Sequence, residues 1–481
     1  MQTENIHSLN HLFFHYVENA SSRCCLTYQQ SGEMESYSTA RFSREILALS
    51  RFLASSGGDG ERVAIFSENR PGWHVADFAV LLAGRVVVPV SPALGPEQIE
   101  YVLRHSDCSV AIIGGRRQWE ILSPRLSSLP QLRQVISLDD LPAAHISLPR
   151  IVAETPECDP ATREAIRERA LSVNPQTLAT IVYTAGTTGD PKGVMLSHGN
   201  IVFDLRESLK RVLQKPPAQA LSVLPLPHLF ERLICYSYFY CRVPIAYGDL
   251  RNLKTLLPLH RPEVMGSMPY VLEKLQEMIL AQIREMPAWR RSLARAVLRA
   301  GSWLARHRPG QILPGRSLAS LPADRLLFSW LRRQAGGLRY LICGGAWLDP
   351  ELELFFRGAG FDLVQGYGVT EASPLITLNP QTREKLGSVG PALEGVQLRL
   401  REDGEILTRG PHVMLGYYND PEATRTAFRD GWLLTGDIGK VDEEGYLQLV
   451  GRRTFLSSGN TGNPPGSKGA VSFRPHYHVV R

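Results

Sequence analysis

Between Arg62 and Gly114, short apolar runs alternate with helical stretches, and no other feature of the chain restricts its fold more. The run VAIF (63–66) leads into a helical stretch from Pro71 to Gly84. Then come VVVPV (86–90), a second helical stretch from Pro96 to about Asp107, and VAII (110–113). Strands this short and this uniformly apolar must be covered on both faces. The pattern therefore predicts a parallel sheet with helices on either side. The same rhythm resumes at Ala179–Thr184 and runs through SVLPLP, VPIAYG, VMGSMP, LRYLICGG and DLVQGYG. Between the two regions, 127–175 is rich in proline and charge and reads as a surface connection.

From Ser388 to about Gly451 the rhythm changes. VQLRLREDGEILTRG and KVDEEGYLQLVG alternate with period two around glycine-containing turns, which predicts antiparallel hairpins. After Arg453 the sequence is rich in Gly, Ser and Pro and has no periodicity, so it reads as an irregular tail. A chain of 481 residues exceeds one small core. The expected division is a first α/β subdomain with its connection (1–175) and a second carrying a glycine loop and an inserted basic helix (176–385). A β-rich subdomain (386–453) and the tail (454–481) follow. The fold class is α/β, with two βα-layered subdomains, mainly parallel sheets and a small antiparallel β subdomain.

The net charge of +6 is spread along the chain, which fits acidic ligands such as phosphates and excludes a nucleic-acid footprint. The seven cysteines are scattered without a CxxC pair, so a reduced, cytoplasmic protein with buried thiols is expected. The N-terminal MQTENIHSLNHLFFHYVENA lacks a basic segment followed by an apolar core. The most apolar stretch, 75–90, is broken by Asp77 and Arg85 and falls short of a membrane span.

The most specific segment is YTAGTTGDPKG, whose Tyr183 closes the apolar strand ATIVY. Gly186, Gly189 and Gly193 allow tight turns and close approach to a ligand. Thr184, Thr187 and Thr188 offer hydroxyls and Lys192 a positive charge, groups that suit the oxygens of a polyphosphate. It is not a Walker A loop, because Lys192 lies between Pro191 and Gly193.

YTAGTTGDPKGVMLSHGN resembles the signature loop of the AMP-forming acyl-CoA synthetase and luciferase superfamily. Further segments resemble that family's motifs in order and spacing: LPLPHLFE (224–231), CGGA (343–346), QGYGVTE (365–371), WLLTGD (432–437) and Gly451-Arg452. The resemblance runs from near the N-terminus to about Arg453. It implies that Thr184, Gly186, Thr187, Thr188, Gly189 and Lys192 hold the β- and γ-phosphates of ATP. Tyr367 stacks on adenine, with Gly344, Gly345 and Ala346 opposite and Gln365, Gly366 and Gly368 in the same segment. Thr370 bonds the α-phosphate, Glu371 holds Mg²⁺, and Asp437 and Arg452 take the ribose. His228 lies beside the acyl tunnel near the carboxylate; as an isolated histidine, such a residue is more often a satisfied core residue. Ala185 stands where the family usually has Ser, a loss of one hydroxyl worth about 1 kcal/mol.

The implied reaction is attack of a carboxylate on the α-phosphorus of ATP with loss of pyrophosphate, then transfer of the acyl group to CoA. GYGVTEASPLIT, ADRLLF (323–328) and GGLRYLICGG (336–345) resemble the long-chain fatty-acid–CoA ligase subgroup. Two other functions stay open: an acyl-AMP ligase that loads a carrier protein, and a non-catalytic nucleotide- or acyl-binding remnant. The insertion 288–316 places Trp289, Leu293, Val297, Ala300 and Leu304 at steps of three or four, with Arg291, Arg295, Arg299 and Arg306 on another face. It reads either as an ordinary surface helix or as a basic helix resting on an anionic membrane. The family continues past the equivalent of Arg453 into a mobile C-terminal domain with a catalytic lysine. The tail here, with Lys468 its one lysine, matches neither, which implies impaired adenylation and thioester formation through a changed reading frame or gene end.

Overall fold

The computed structural model describes residues 6–20, 24–30, 33–144, 146–184, 190–212, 216–307, 332, 335–381 and 383–452. Three sheets organise them. Edge to edge, the first runs through Gly416–Tyr417, Lys192–Ser197, Leu178–Thr184, Val86–Val90, Arg62–Phe66, Val110–Ile113, Gln134–Ser137 and Ile146–Ser147. It is parallel except where Lys192–Ser197 pairs antiparallel with both of its neighbours. The second runs through Thr377–Leu378, Asp362–Tyr367, Tyr340–Cys343, Val264–Ser267, Ala220–Ser222, Ile245–Tyr247, Cys24–Gln30 and Glu33–Ser38, with antiparallel pairs only at its two edges. The third is antiparallel throughout, built from the two expected hairpins, Gln397–Leu400 with Glu405–Arg409 and Trp432–Val441 with Leu447–Arg452.

The α/β class and the antiparallel subdomain are as expected, but the sheets do not follow the chain in blocks. Strands on both sides of residue 175 share each large sheet. Leu178–Thr184 and Lys192–Ser197 complete the first, and the N-terminal pair Cys24–Gln30 and Glu33–Ser38 completes the second. The segment 127–175 is more than a connection. It contributes the edge strand Ile146–Ser147, its neighbour Gln134–Ser137 and the helices Leu148–Glu154 and Pro160–Leu171, short elements whose flanking prolines and charges hid them. The tail beyond Arg452, the segment ADRLLF and the insertion beyond His307 lie outside the described residues.

The helix Pro71–Leu82 opens with proline, which costs nothing at a first turn whose N–H groups have no helical partner. It is buried along its whole length and packs against strands of both large sheets. Its Asp77, which interrupts the apolar run in the sequence, forms a buried ion pair with Arg232 of the helix Leu229–Cys241. Tyr236 donates to Asp77 at 2.6 Å, and Arg232 donates to Thr180 Oγ1 at 2.9 Å. Every polar atom of this cluster that faces the core has a charged or hydroxyl partner, and removing one would strand the rest. The cluster ties both helices to the strand that carries Thr184 toward the glycine loop.

Candidate nucleotide and acyl site

Of the predicted residues, Thr184 ends a strand of the first large sheet and Tyr367 ends a strand of the second; strand ends are the usual ligand position in α/β folds. Thr184 and Lys192 face each other as cross-strand partners in the hairpin that brackets the glycine loop. Ala185, Gly186, Thr187, Thr188 and Gly189 lie outside the described residues.

Lys192 is half-buried, its ammonium 5.2 Å from the centre of the Tyr417 ring. The Tyr417 hydroxyl donates to Glu371 Oε1 at 2.8 Å. Burial and the Glu371 carboxylate push the phenol pKa up, so it stays a donor. The backbone repeats the connection: Met414 N–H donates to the Glu371 carbonyl at 2.9 Å and Tyr418 N–H to the Gly193 carbonyl at 2.7 Å. Residues 414–418 thus form a strap between the turn of Glu371 and the strand of Lys192.

Tyr367 ends the strand Asp362–Tyr367, and its hydroxyl donates to Asp437 Oδ2 at 2.9 Å. Arg452 sits opposite Asp437 in the third sheet and approaches the other carboxylate oxygen at 3.4 Å. Burial raises the Asp437 carboxyl above the usual aspartate range, with Arg452 and Tyr367 pulling it back. The charges of Glu371 and Arg452 are felt at Asp437 and Tyr417, so the two groups form one cluster.

Thr370 and Glu371 lie in a single turn directly after Tyr367. Behind it, Gly368 passes so close to the Pro374 carbonyl that a Cβ would collide with backbone. Gly344 meets Phe230 in the same way, a Cβ there lying 2.9 Å from the ring, and Gly345 and Ala346 continue the turn toward solvent. Gln365 is buried, and its amide nitrogen has no hydrogen-bond partner among the described residues.

Gly366 also lines an apolar cavity, together with Leu209, Val212, Phe230, Leu233, Ile342 and Leu375 among others. His228 stands two residues before Phe230, at the N-cap of the helix Leu229–Cys241. Burial pushes its imidazole down to about 4, so it is neutral at pH 7. Sequence reasoning missed Tyr417 and Phe230. Neither carries a recognisable chemical signal until the strand pairing and the glycine turn bring them to the site.

Residues 13–418 match the family described as AMP-binding enzyme. The long-chain-fatty-acid–CoA ligase FadD15 of Mycobacterium bovis is 34% identical over 423 residues, 86% of this chain and 69% of that protein. The long-chain-fatty-acid–CoA ligase 6 of Mus musculus is 30% identical over 425 residues, 83% of this chain and 60% of that protein. Among solved structures, the inhibitor-bound N-terminal domain of FACL13 from Mycobacterium tuberculosis superposes with a TM-score of 0.69 at 21% identity, covering 93% of this chain and 100% of that one. The chain belongs to the AMP-binding enzyme family. It is an ATP-dependent, AMP-forming acid–CoA ligase, and its relatives include long-chain-fatty-acid–CoA ligases.

Proposed function

We propose that the acid this enzyme activates is a long-chain fatty acid, seated in the cavity that Gly366 lines, and that the cluster around Tyr417 holds ATP. The observation that supports this most is that Gly366, next to Tyr367 of the charged, hydroxyl-rich cluster, also lines the apolar cavity. An acid with a polar head and an apolar chain needs such a boundary.

Lys192 and Thr184 face the β- and γ-phosphates, the role that the resemblance also gives Gly186, Thr187, Thr188 and Gly189. Thr370 donates to the α-phosphate. Tyr367 covers the adenine against Gly344, Gly345 and Ala346, with Gln365, Gly366 and Gly368 shaping the same wall. Asp437 accepts from the ribose hydroxyls and Arg452 approaches from the neighbouring strand. Neutral His228 accompanies the acid's head without adding charge.

Glu371 suits Mg²⁺, which takes one or two carboxylates and completes its shell with phosphate oxygens and water. When bound it would neutralise phosphate charge as the acid approaches. The chain's own contribution is placement. The carboxylate is aligned with the α-phosphorus, pyrophosphate departs toward Lys192, and little covalent work falls on side chains. In the second half-reaction the CoA thiol attacks the carbonyl of the acyl-AMP, the thioester bond forms and AMP leaves; the sequence implies that this step is impaired in the chain.

ATP–pyrophosphate exchange with palmitate tests the reading. The wild-type chain should exchange, and the double variant Lys192→Ala/Glu371→Ala should lose the activity. Exchange at wild-type speed by that variant would overturn it.

A further inference from the structure

The helix Ala288–His307 carries two apolar stripes. Residues in a helix step by about 100°. Ala294, Leu298, Gly301 and Ala305 make the inward stripe, which packs on the helix Pro350–Gly358 so tightly that Gly301 lies against the Gly358 backbone. Trp289, Leu293, Ala296, Ala300 and Trp303 fall within about 80° on the opposite side. Trp289, Leu293 and Ala300, which the sequence sets at helical spacing, therefore lie on the outward side. Trp289 is 64% exposed, Leu293 45% and Trp303 58%.

Beside the outward stripe run Arg295, Arg299 and Arg306, and the helix contains no acidic residue. Arg306 pairs with Glu351, whereas Arg295 and Arg299 have no ion-pair partner among the described residues. The Arg290 guanidinium lies 5.0 Å from the Trp289 ring, and His307 stacks on Trp303 at 4.6 Å.

We infer that this outward face is a docking surface for a bilayer containing anionic lipid, with the helix lying flat and its tryptophans at headgroup depth. Tryptophan favours that depth, being apolar in body with one polar N–H. A basic flank beside an apolar stripe is the arrangement of interfacial helices. No described helix is long and apolar enough to cross a membrane; the contact inferred is made by the face of this helix. A second copy of the chain is a poorer occupant, because two such faces would bring like charges together. The inference does not rest on the acid-activation reading.

Sedimentation of the full chain with vesicles tests it, using phosphatidylcholine alone and phosphatidylcholine mixed with phosphatidylglycerol, at low and high salt. The wild type should pellet with the mixed vesicles and be released by salt. Trp289→Ser/Trp303→Ser should lower the bound fraction on the order of tenfold in both salts, since each residue is exposed and its loss spares the core. Arg295→Gln/Arg299→Gln should lower binding at low salt on the order of tenfold and remove most of the salt dependence. Equal pelleting with neutral and anionic vesicles, no pelleting, or wild-type binding by the tryptophan variant would overturn the inference. So would a change of oligomeric state in the tryptophan variant on analytical ultracentrifugation. Exchange with a detergent-dispersed acid, measured in parallel, should be unchanged in both variants. Vesicle binding without exchange by the wild type would leave this inference standing and remove only the proposed activity.

Discussion

The Tyr417 hydroxyl donates to Glu371 at 2.8 Å while the Lys192 ammonium sits 5.2 Å from the same ring. One side chain on the short edge strand Gly416–Tyr417 thus fixes the distance between a cation and a carboxylate that the sequence places far apart. Because the first sheet ends on this strand, the relative position of Lys192 and Glu371 follows from sheet pairing and not from the flexibility of either side chain. Preorganisation of this kind lets charge stabilisation act without reorganisation during the reaction.

Tyr417→Phe keeps the ring beneath Lys192 and removes only the donor to Glu371. A hydrogen bond to a charged group is worth about 1.5–3 kcal/mol, and water replaces part of it at a half-exposed carboxylate. Exchange should therefore fall about tenfold in kcat/KM, with a higher magnesium requirement. Tyr417→Ala should fall further, because Lys192 also loses the ring. Equal rates for Phe and wild type would show that the strap positions nothing.

Asp437 sets a pH limit on nucleotide binding. Burial raises its carboxyl above the usual aspartate range, and only the carboxylate form accepts from two ribose hydroxyls. The KM for ATP should be flat near neutrality and rise as pH falls through the raised value. Folding linkage has the opposite sign: a carboxyl whose folded pKa is raised adds stability as pH falls, so unfolding through this group does not explain the loss. Asp437→Asn should have a high KM at every pH, with the acid limb gone. A wild-type acid limb in the Asn variant would assign the effect elsewhere.

The legible parts of the fold were those with local signals. The buried strands Arg62–Phe66 and Val86–Val90 and the helix Pro71–Leu82 show as apolar runs and a proline start, and the hairpins show as alternation around Gly404 and Gly445. The parallel pairing of Cys24–Gln30 with Ile245–Tyr247 was not legible, because it joins segments more than two hundred residues apart; its pairing with the adjacent Glu33–Ser38 is local and was overlooked. The inward face of Ala288–His307 was not legible for a different reason. Close helix packing selects small residues, Ala294, Gly301 and Ala305, while the large apolar ones point outward. At the site, motif residues were legible because chemistry demands them. Tyr417 and Phe230 serve through shape and pairing and leave no pattern.

Acyl preference should respond to the far wall of the cavity. The helix His198–Val212 begins directly after the strand of Lys192, and Val212 stands fourteen residues along it, about 21 Å from its start. Val212→Phe adds bulk where the end of a long chain would lie, and overpacking there costs about 1–3 kcal/mol. Exchange with palmitate should drop about tenfold relative to octanoate. An unchanged ratio would place the chain in some other part of the fold.

Glu231 provides a stability test independent of substrates. It is buried on the first turn of the helix Leu229–Cys241, and burial pushes its carboxyl up to about 8, the Ser222 hydroxyl only partly offsetting this. In the unfolded chain the same group ionises near the ordinary glutamate value of about 4.3. Between these values the folded state holds a proton that the unfolded state has released. Stability is therefore highest below the unfolded value and falls as pH rises, by about 1.4 kcal/mol per pH unit at most, until the folded carboxyl itself ionises. Glu231→Gln is neutral throughout and removes this slope. The difference in Tm between Glu231→Gln and wild type should move in favour of the variant from pH 5 to pH 8, whatever its offset at pH 5. A difference that stays constant over that interval would mean that Glu231 ionises in the folded protein as it does in water.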